Sequence, residues 1–436
     1  MKLKNYLLIF VVIGLMVPAI SITASHASAA GTYDYKVSSN VVLTSTGSTA
    51  YTGASFTAAL AWAVSHANTI TYVPAGTYTI TGNVYLAAGA TLYGDGKTST
   101  IFTAPSGRYY IAAKNVSNVT MHDFGVKGHI LLGYFADANV IATNFMMQNI
   151  AATNTITNKF NGEFQVYLQS GSTLTGVTFR GCSVSHTDAY GFLLNGYSTN
   201  GIGTSHINNV VIDSCSADHC GDGTDPWSTG FDLCEETSIN GLQVTNCMAT
   251  YSWESGFHLE FAPPELNVVF TNCVSSYNGQ KPSSYNNGDG STGVIYGMGF
   301  VFSSAKMPGI AFSGCSGTGN LHGLSTISAK GATTLSTISA PVPPSSDKKW
   351  APTFTNSPST SGRVGSVYSY TATVNSSATL TLVTKPTWAS WSGSTMSGTP
   401  TTAGTYTFSI KATSNAGGIS CWKNWTVTVS NSYRTR

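Results

Sequence analysis

The chain has 436 residues with 45 glycines, only 9% charged residues and a formal net charge of +2. The length allows one large domain and a smaller second one. The low charge and the abundance of glycine exclude a charged helical protein, favour strands and turns, and give no sign of a nucleic-acid partner.

The first segment, residues 1–29, has the pattern of a secretory signal peptide. Two lysines, at positions 2 and 4, precede an apolar run over residues 7–16, and residues 27–29 provide a cleavage site of small residues. We therefore expect a secreted or cell-surface protein that has no membrane span once the signal is removed. A retained membrane anchor is the alternative.

An amphipathic helix is predicted over residues 55–66. Three short segments follow it: VPAGTY at 73–78, LYGDG at 92–96 and STI at 99–101. This order resembles the N-terminal cap of the pectate-lyase superfamily of right-handed parallel β-helices. The resemblance extends over residues 40–330 and implies that the helix covers the apolar end of a solenoid.

A two-part repeat between residues 177 and 327 also predicts a solenoid. The first part has the pattern apolar-x-apolar-x-small-Cys and ends at Cys182, Cys215, Cys247, Cys273 and Cys315. The second part reads Gly-Phe-x-apolar and begins at Gly191, Gly230, Gly256 and Gly299. A period of about 30 residues built from short strands is typical of stacked coils. We predict an all-β fold, with a right-handed parallel β-helix over residues 30–330.

The five repeat cysteines should face the interior as one column of free thiols, because each follows the same apolar-x-apolar strand. Coils stack about 4.8 Å apart, which also permits disulfides, so bridging remains an alternative. Cys220 and Cys234 belong to a single coil and are better candidates for a bridge. Cys421 stands alone near the C-terminus.

The composition changes after the β-helix. Residues 331–349 are rich in Pro and Ser and form a linker, and residues 350–430 contain evenly spaced strands that predict a small β-sandwich before a short tail at 431–436. The segments PTW at 386–388 and SGTPTTAGTY at 397–406 resemble the immunoglobulin-like modules of bacterial and archaeal surface proteins. The resemblance implies a spacer or adhesive role for this domain.

Strand alternation predicts where chemistry could occur. In each Gly-Phe-x-apolar strand, position x and the residue two later should point outward. The outward columns are then Leu193, Asp232, His258 and Val301, and Asn195, Cys234, Glu260 and Ser303. We therefore take Asp232, His258 and Glu260 as candidate catalytic residues, with the two carboxylates as general acid and base.

The turns before these strands are rich in carboxylates and aromatic residues, which is typical of a sugar-binding groove. Candidate substrate-binding residues are Asp188, Tyr190, Asn195, Asp222, Asp225, Trp227, Trp253 and Glu254. The alternative is a solvated face with ordinary polar residues.

Residues 230–237 resemble the Y-G-F-D-P-H-E-Q-T segment of alginate C5-epimerases. The resemblance implies that Asp232 is catalytic and that Glu260 lies where this family has a second carboxylate. The Tyr and His positions of the segment are occupied by Thr229 and Cys234. An epimerase reaction would therefore require His258 to take over their role.

Other chemistries have weaker signals. Asp222, Asp225 and Asp232 could hold Ca²⁺, although their spacing fits no standard loop, so no cofactor is firmly predicted. A pectate-type lyase would need an Arg or Lys base. Arg180 lies in a different outward column beside Asp213, which predicts a surface ion pair.

These patterns together predict a secreted β-helix protein that recognises an extracellular polysaccharide or cell-surface glycan. Cleavage or modification of that glycan by a hydrolase, lyase or epimerase reaction is open at this point. The alternative is a non-catalytic structural or adhesive protein of the cell surface. The sequence does not indicate the oligomeric state.

Overall fold

The computed structural model describes residues 32–157, 161–199, 202–221, 227–259, 266–280, 297–302, 310–321, 323–324, 354–374, 378–414 and 420–431. Strands predominate throughout this part of the chain, and its one α-helix is short. No helix in these ranges is long and apolar enough to span a bilayer. The predicted signal peptide lies outside them.

The predicted N-terminal helix is present as α1 (Phe56–Val64). Its N-cap residue Ser55 accepts a hydrogen bond from the backbone N–H of Ala58 at 3.1 Å, which satisfies one of the unpaired donors of the first turn. Leu60 and Val64 are buried in the same core as the first strands. The helix therefore covers apolar residues at the beginning of the solenoid.

Most strands pair in parallel with the strand one coil further along the chain, which builds a right-handed parallel β-helix with three sheets. The N-terminal strands are β1 (Tyr35–Ser38), β2 (Val41–Thr44) and β3 (Thr49–Thr52). Three long strands turn corners between sheets: β8 (Thr100–Lys114), β9 (Val119–Ala136) and β10 (Ile141–Thr155). A small antiparallel pair, β15 (Ser198–Thr199) and β16 (Ile202–Gly203), lies beside the coils.

We name the three sheets A, B and C in the order in which each coil enters them. Sheet A contains β4 (Ile70–Val73), β7 (Thr91–Gly94), β12 (Thr173–Arg180), β17 (His206–Asp213), β20 (Ser238–Thr245), β23 (Leu266–Thr271) and β26 (Ile310–Ser313). Sheet B contains β5 (Gly76–Thr79), β13 (Ser183–Thr187), β18 (Ser216–Cys220), β21 (Met248–Thr250) and β24 (Val274–Ser276). Sheet C contains β6 (Val84–Leu86), β11 (Gly162–Leu168), β14 (Tyr190–Gly196), β19 (Phe231–Glu235), β22 (Phe257–Leu259) and β25 (Phe300–Phe302).

The corner between sheets A and B requires a left-handed backbone conformation in successive coils. Its residues have positive φ and are Asp123, Asn149, Gly181, Ser214, Asn246, Asn272 and Gly314. Asn, Asp and Gly adopt this conformation more readily than other residues. The frequent Asn and Gly of the chain therefore position the corners that fix the coil geometry.

The Gly-Phe-x-apolar repeat forms sheet C, and both of its first two residues face the interior. The phenylalanines stack ring on ring, with centroids 4.6 Å apart between Phe192 and Phe231 and again between Phe231 and Phe257. The preceding position has no room for a side chain: a Cβ on Gly256 would lie 1.9 Å from the hydroxyl oxygen of Ser275. The glycine is therefore required by close packing.

The cysteine prediction is confirmed for the repeat column, because all five of its thiols are free and buried. Burial raises the pKa of the Cys215 thiol, so it packs as a small apolar group. Cys220 and Cys234, the better candidates for a bridge, form no disulfide and lie in the solenoid core. The side chain of Cys421 lies outside the described part.

The C-terminal region forms the predicted sandwich. One sheet contains β27 (Ser361–Arg363), β29 (Ala378–Thr384), β32 (Gly404–Ser414) and β33 (Ser420–Ser430), and the other contains β28 (Tyr368–Thr371), β30 (Ala389–Ser392) and β31 (Thr395–Gly398). Phe408, Ile410 and Val427 are fully buried between them. The linker at 331–349 lies outside the described ranges, so the domain boundaries remain a prediction.

Candidate functional site

The first outward column of sheet C has the predicted register. Leu193 pairs with Asp232, Asp232 with His258, and His258 with Val301 on successive coils. Gln165 precedes Leu193 in the same column. Asp232 and His258 are therefore neighbours on adjacent strands of one face.

The expectation that this column is exposed is wrong. Asp232 is 1% exposed and His258 is 2% exposed. Leu193, the neighbour of Asp232 in the column, is also buried, in an apolar cluster with Ala189 and Tyr190 against which Trp227 packs. The alternation rule finds the face on which a side chain lies but cannot show what packs over that face.

A buried ionisable cluster occupies this face. The Nδ1 atom of His258 lies 3.7 Å from Oδ2 of Asp232 and 3.6 Å from Oε1 of Glu254. Glu254 is fully buried and lies on the turn before the His258 strand, where its backbone N–H donates to the carbonyl of Ser228 at 2.9 Å. Residues from two coils thus place two carboxyl groups around one imidazole.

Burial controls the protonation of this cluster. It lowers the pKa of His258 to about 3, so the ring is neutral near pH 7. Asp232 and Glu254 are both buried beside this ring, and two neighbouring carboxyl groups in a dry environment disfavour a second negative charge. In such a pair one carboxyl donates a proton while the other accepts one.

Some of the remaining predicted residues have structural roles, and the others lie outside the described part of the chain. The Asp188 carboxylate accepts hydrogen bonds from the backbone N–H and the hydroxyl of Thr157, at 2.7 and 3.2 Å, and so fixes a turn. Tyr190 and Trp227 belong to the apolar cluster with Leu193. Glu260, Asp222 and Asp225 lie outside the described ranges, so their roles remain predictions.

The second predicted outward column is interrupted by an irregularity. The register shifts after Leu194, so that Asn195 pairs with Glu235 instead of Cys234. Cys234 has a φ of 74° and is buried in the solenoid core. Asn195 is half-buried at the end of its strand. The left-handed residue turns the Cys234 side chain inward, which strand alternation could not predict.

Trp253 does not form the wall of an open groove. It is only 5% exposed and packs in one cluster with Ala412 of the C-terminal sandwich. Its ring is therefore occupied by a protein contact in this structure.

The sequence reasoning missed Glu163. This side chain is fully buried, and neither carboxyl oxygen has a hydrogen-bond partner of good geometry among the residues that the structure describes. Burial raises its pKa well above the ordinary value, an effect that the neighbouring Thr155 hydroxyl opposes. Glu163-Phe164-Gln165-Val166 is a copy of the Gly-Phe-x-apolar repeat with Glu in the place of Gly. Extending the repeat one coil toward the N-terminus would have found it.

One group of three potential metal ligands, His186, Asp218 and His219, occurs in the described ranges, with ligand atoms within 4.8 Å of one another. The two imidazole rings stack with an interplanar angle of 11°. A metal ion must lie near the plane of each ligating ring, which parallel rings do not allow, and Lys411 adds a positive charge nearby. The group is therefore not assigned as a metal site.

The predicted surface ion pair of sheet A is present. The Nε atom of Arg180 lies 3.4 Å from Oδ2 of Asp213, and both side chains are partly exposed. The pair lies on a different sheet from the cluster around His258. Arg180 is therefore not positioned as a lyase base for that cluster.

Comparison with known proteins gives the family. Residues 40–275, more than half of the chain, match the family described as rhamnogalacturonase A/epimerase, pectate lyase-like, and the chain belongs to this family. No curated protein matches the chain.

Several solved structures are similar to the chain, each at low identity. The A-module of the mannuronan C-5 epimerase AlgE6 from Azotobacter vinelandii is 12% identical over 66% of this chain and 96% of its own, with a TM-score of 0.25. The catalytic domain of a GH87 α-1,3-glucanase is 12% identical over 62% of this chain and 63% of its own, with a TM-score of 0.25. Tailspike protein 2 of bacteriophage CBA120 is 12% identical over 85% of this chain and 74% of its own, with a TM-score of 0.29.

Proposed function

We propose that this protein acts on an extracellular polysaccharide and uses Asp232, Glu254 and His258 for proton transfer. The observation that carries the proposal is the convergence of two carboxyl groups from neighbouring coils on one neutral imidazole. Membership of a family named for a rhamnogalacturonase and an epimerase supports a glycan substrate.

The cluster suits the two types of reaction that the family name covers. In hydrolysis, one carboxyl protonates the leaving oxygen while the other takes a proton from the attacking water. In epimerisation, a base takes the proton at C5 and an acid returns a proton to the opposite face of the sugar. His258 lies between both carboxyl groups, so it can pass a proton from one to the other through Nδ1.

Substitution of the three residues tests this proposal. Asp232→Asn, Glu254→Gln and His258→Gln should each lower kcat by roughly 10²-fold or more on the substrate polysaccharide, with ligand binding retained, because each change removes a proton-transfer group. Asp213→Asn is the matched control, since it makes the same change on sheet A and should keep full activity. Full activity in all three site variants would contradict the proposal.

A non-catalytic surface protein is the second candidate, and the burial of Asp232, Glu254 and His258 favours it. In that case the cluster stabilises the solenoid, and no polysaccharide yields a product. The three variants would then lose thermal stability without any activity to lose. Wild-type turnover of any one polysaccharide decides between the two candidates.

We also propose that the protein is secreted through its N-terminal segment, on the charged start, apolar run and small-residue site within residues 1–29. The mature protein should then begin directly after Ala29. N-terminal sequencing of the protein from culture medium checks this, and an intact N-terminus retained inside the cell would contradict it.

A further inference from the structure

The C-terminal sandwich contacts the solenoid through an apolar centre. Trp253 and Ala412 are buried in one cluster, against which Tyr251, Phe354 and Leu380 pack. Phe354 and Leu380 also contact the main core of the sandwich. Trp253 of the solenoid is therefore connected to the core of the sandwich through these two residues. Buried tryptophans often contribute most of the binding energy of an interface.

A cluster of polar side chains, contributed by the solenoid and by the sandwich, lies beside this apolar centre. The rings of His186 and His219 stack with centroids 4.6 Å apart, and Tyr251 continues the stack at 4.8 Å from His219. Nδ1 of His219 lies 2.8 Å from a carboxylate oxygen of Asp218. Lys411 interacts electrostatically with both His186 and Asp218. The titratable and charged groups that face the two imidazoles within the described ranges are thus Asp218, Tyr251 and Lys411.

We propose that this contact is acid-sensitive: protonation of His186, in its stack with His219, releases the C-terminal sandwich from the solenoid and uncovers Trp253. At neutral pH the Asp218 carboxylate attracts the Lys411 ammonium across the contact. A proton added to His186 places a positive charge beside that ammonium and beside the second ring. Repulsion then opposes the docked arrangement.

The pKa of His186 supports the direction of this effect. Burial first, then His219 and Lys411, lower it from 6.5 to about 4 in the docked structure. Of these groups Lys411 belongs to the sandwich, so docking favours the neutral ring, and this contribution is complete above pH 6.5 and is lost as the pH falls towards 4. Burial opposes ionisation of Asp218, but hydrogen bonds from His219 and Thr250 hold its pKa below the ordinary value, so the carboxylate stays charged over this range.

Release would change the surroundings of the candidate site. Trp253 is the residue directly before Glu254, which lies 3.6 Å from His258. A free Trp253 ring would offer an apolar face for a sugar beside the carboxyl groups. The release itself does not depend on catalysis, and so it is tested separately from the proposed function.

Small-angle X-ray scattering of the full-length protein tests the proposal. The wild type should be compact at about pH 7.5 and should extend at about pH 4.5, with secondary structure retained by circular dichroism. Trp253→Ala should be extended at both pH values, because it removes the apolar centre. His186→Asn preserves the backbone, since Asn154 occupies the matching corner with a φ of 53°. This variant should move the release midpoint at least roughly one pH unit lower.

His206→Asn is the matched control, because it removes an exposed imidazole of sheet A and should leave the release midpoint unchanged. A folded wild type that stays compact at about pH 4.5 overturns the proposal. So does a wild-type midpoint in the His186→Asn variant. A compact Trp253→Ala variant would show that Trp253 does not hold the domains together, which also overturns it.

Discussion

Buried acids are the most informative single residues of this protein. Three lie in sheet C or the turns before it, and each is 1% exposed or less: Glu163, Asp232 and Glu254. Burying a carboxylate costs free energy unless the group is paired or protonated. Such residues therefore occur where they have a function or where neighbouring groups stabilise the charge. Asp232 and Glu254 have His258 as a neighbour, whereas Glu163 has only the Thr155 hydroxyl and the Asp188 carboxylate acting on its charge within the described ranges.

Glu163 gives a prediction at this scale. Its pKa is raised well above 4.5 by burial, so folding favours the protonated acid and stability is lost as the pH rises from 4.5 through the raised value. Glu163→Gln removes this loss and should stabilise the protein by about 1–3 kcal/mol at high pH relative to the wild type. Urea unfolding at acid and alkaline pH measures the difference. The same change at exposed Glu236 should have little effect, and a wild-type pH dependence in Glu163→Gln would contradict the account.

At the scale of elements, the repeat predicts the strands and their register but not the turns between them. The alternation in the Gly-Phe-x-apolar strands correctly placed Asp232 beside His258. The same rule failed at Cys234, where a left-handed residue shifts the register. Glu254 was grouped with substrate-binding residues because it lies on a turn, and no strand rule could show that the turn folds back onto His258.

The inward cysteine column provides a test of the coil alignment. Cys247→Asp should cost more than about 3 kcal/mol in the free energy of unfolding, because it places an unpaired charge in an apolar interior. Met248→Asp is the matched control, since Met248, the next residue along the chain, is 43% exposed and should tolerate the charge. Thermal unfolding followed by circular dichroism compares the two variants. Equal stability of Cys247→Asp and the wild type would refute the inward column.

At the scale of the whole molecule, the sequence was sufficient for the β-helix and the sandwich and insufficient for the contact between them. Period, composition and local resemblance predicted the β-helix, its capping helix and the C-terminal sandwich, all of which are present. Neither the repeat nor the composition indicates that Trp253 packs against Ala412. Contacts between distant segments depend on three-dimensional placement, which short-range patterns do not record.

The central claim is that the cluster of Asp232, Glu254 and His258 performs proton transfer on a polysaccharide, and isotope labelling of the products tests it most directly. The protein is incubated with rhamnogalacturonan, polygalacturonate, mannuronan or α-1,3-glucan in water labelled with deuterium or oxygen-18, and the sugars are analysed by mass spectrometry. The account predicts that at least one polysaccharide acquires oxygen-18 at new reducing ends or deuterium at C5, and that Asp232→Asn abolishes the labelling while Asp213→Asn retains it. Unlabelled, uncleaved sugars throughout, or equal labelling by Asp232→Asn, would contradict the claim.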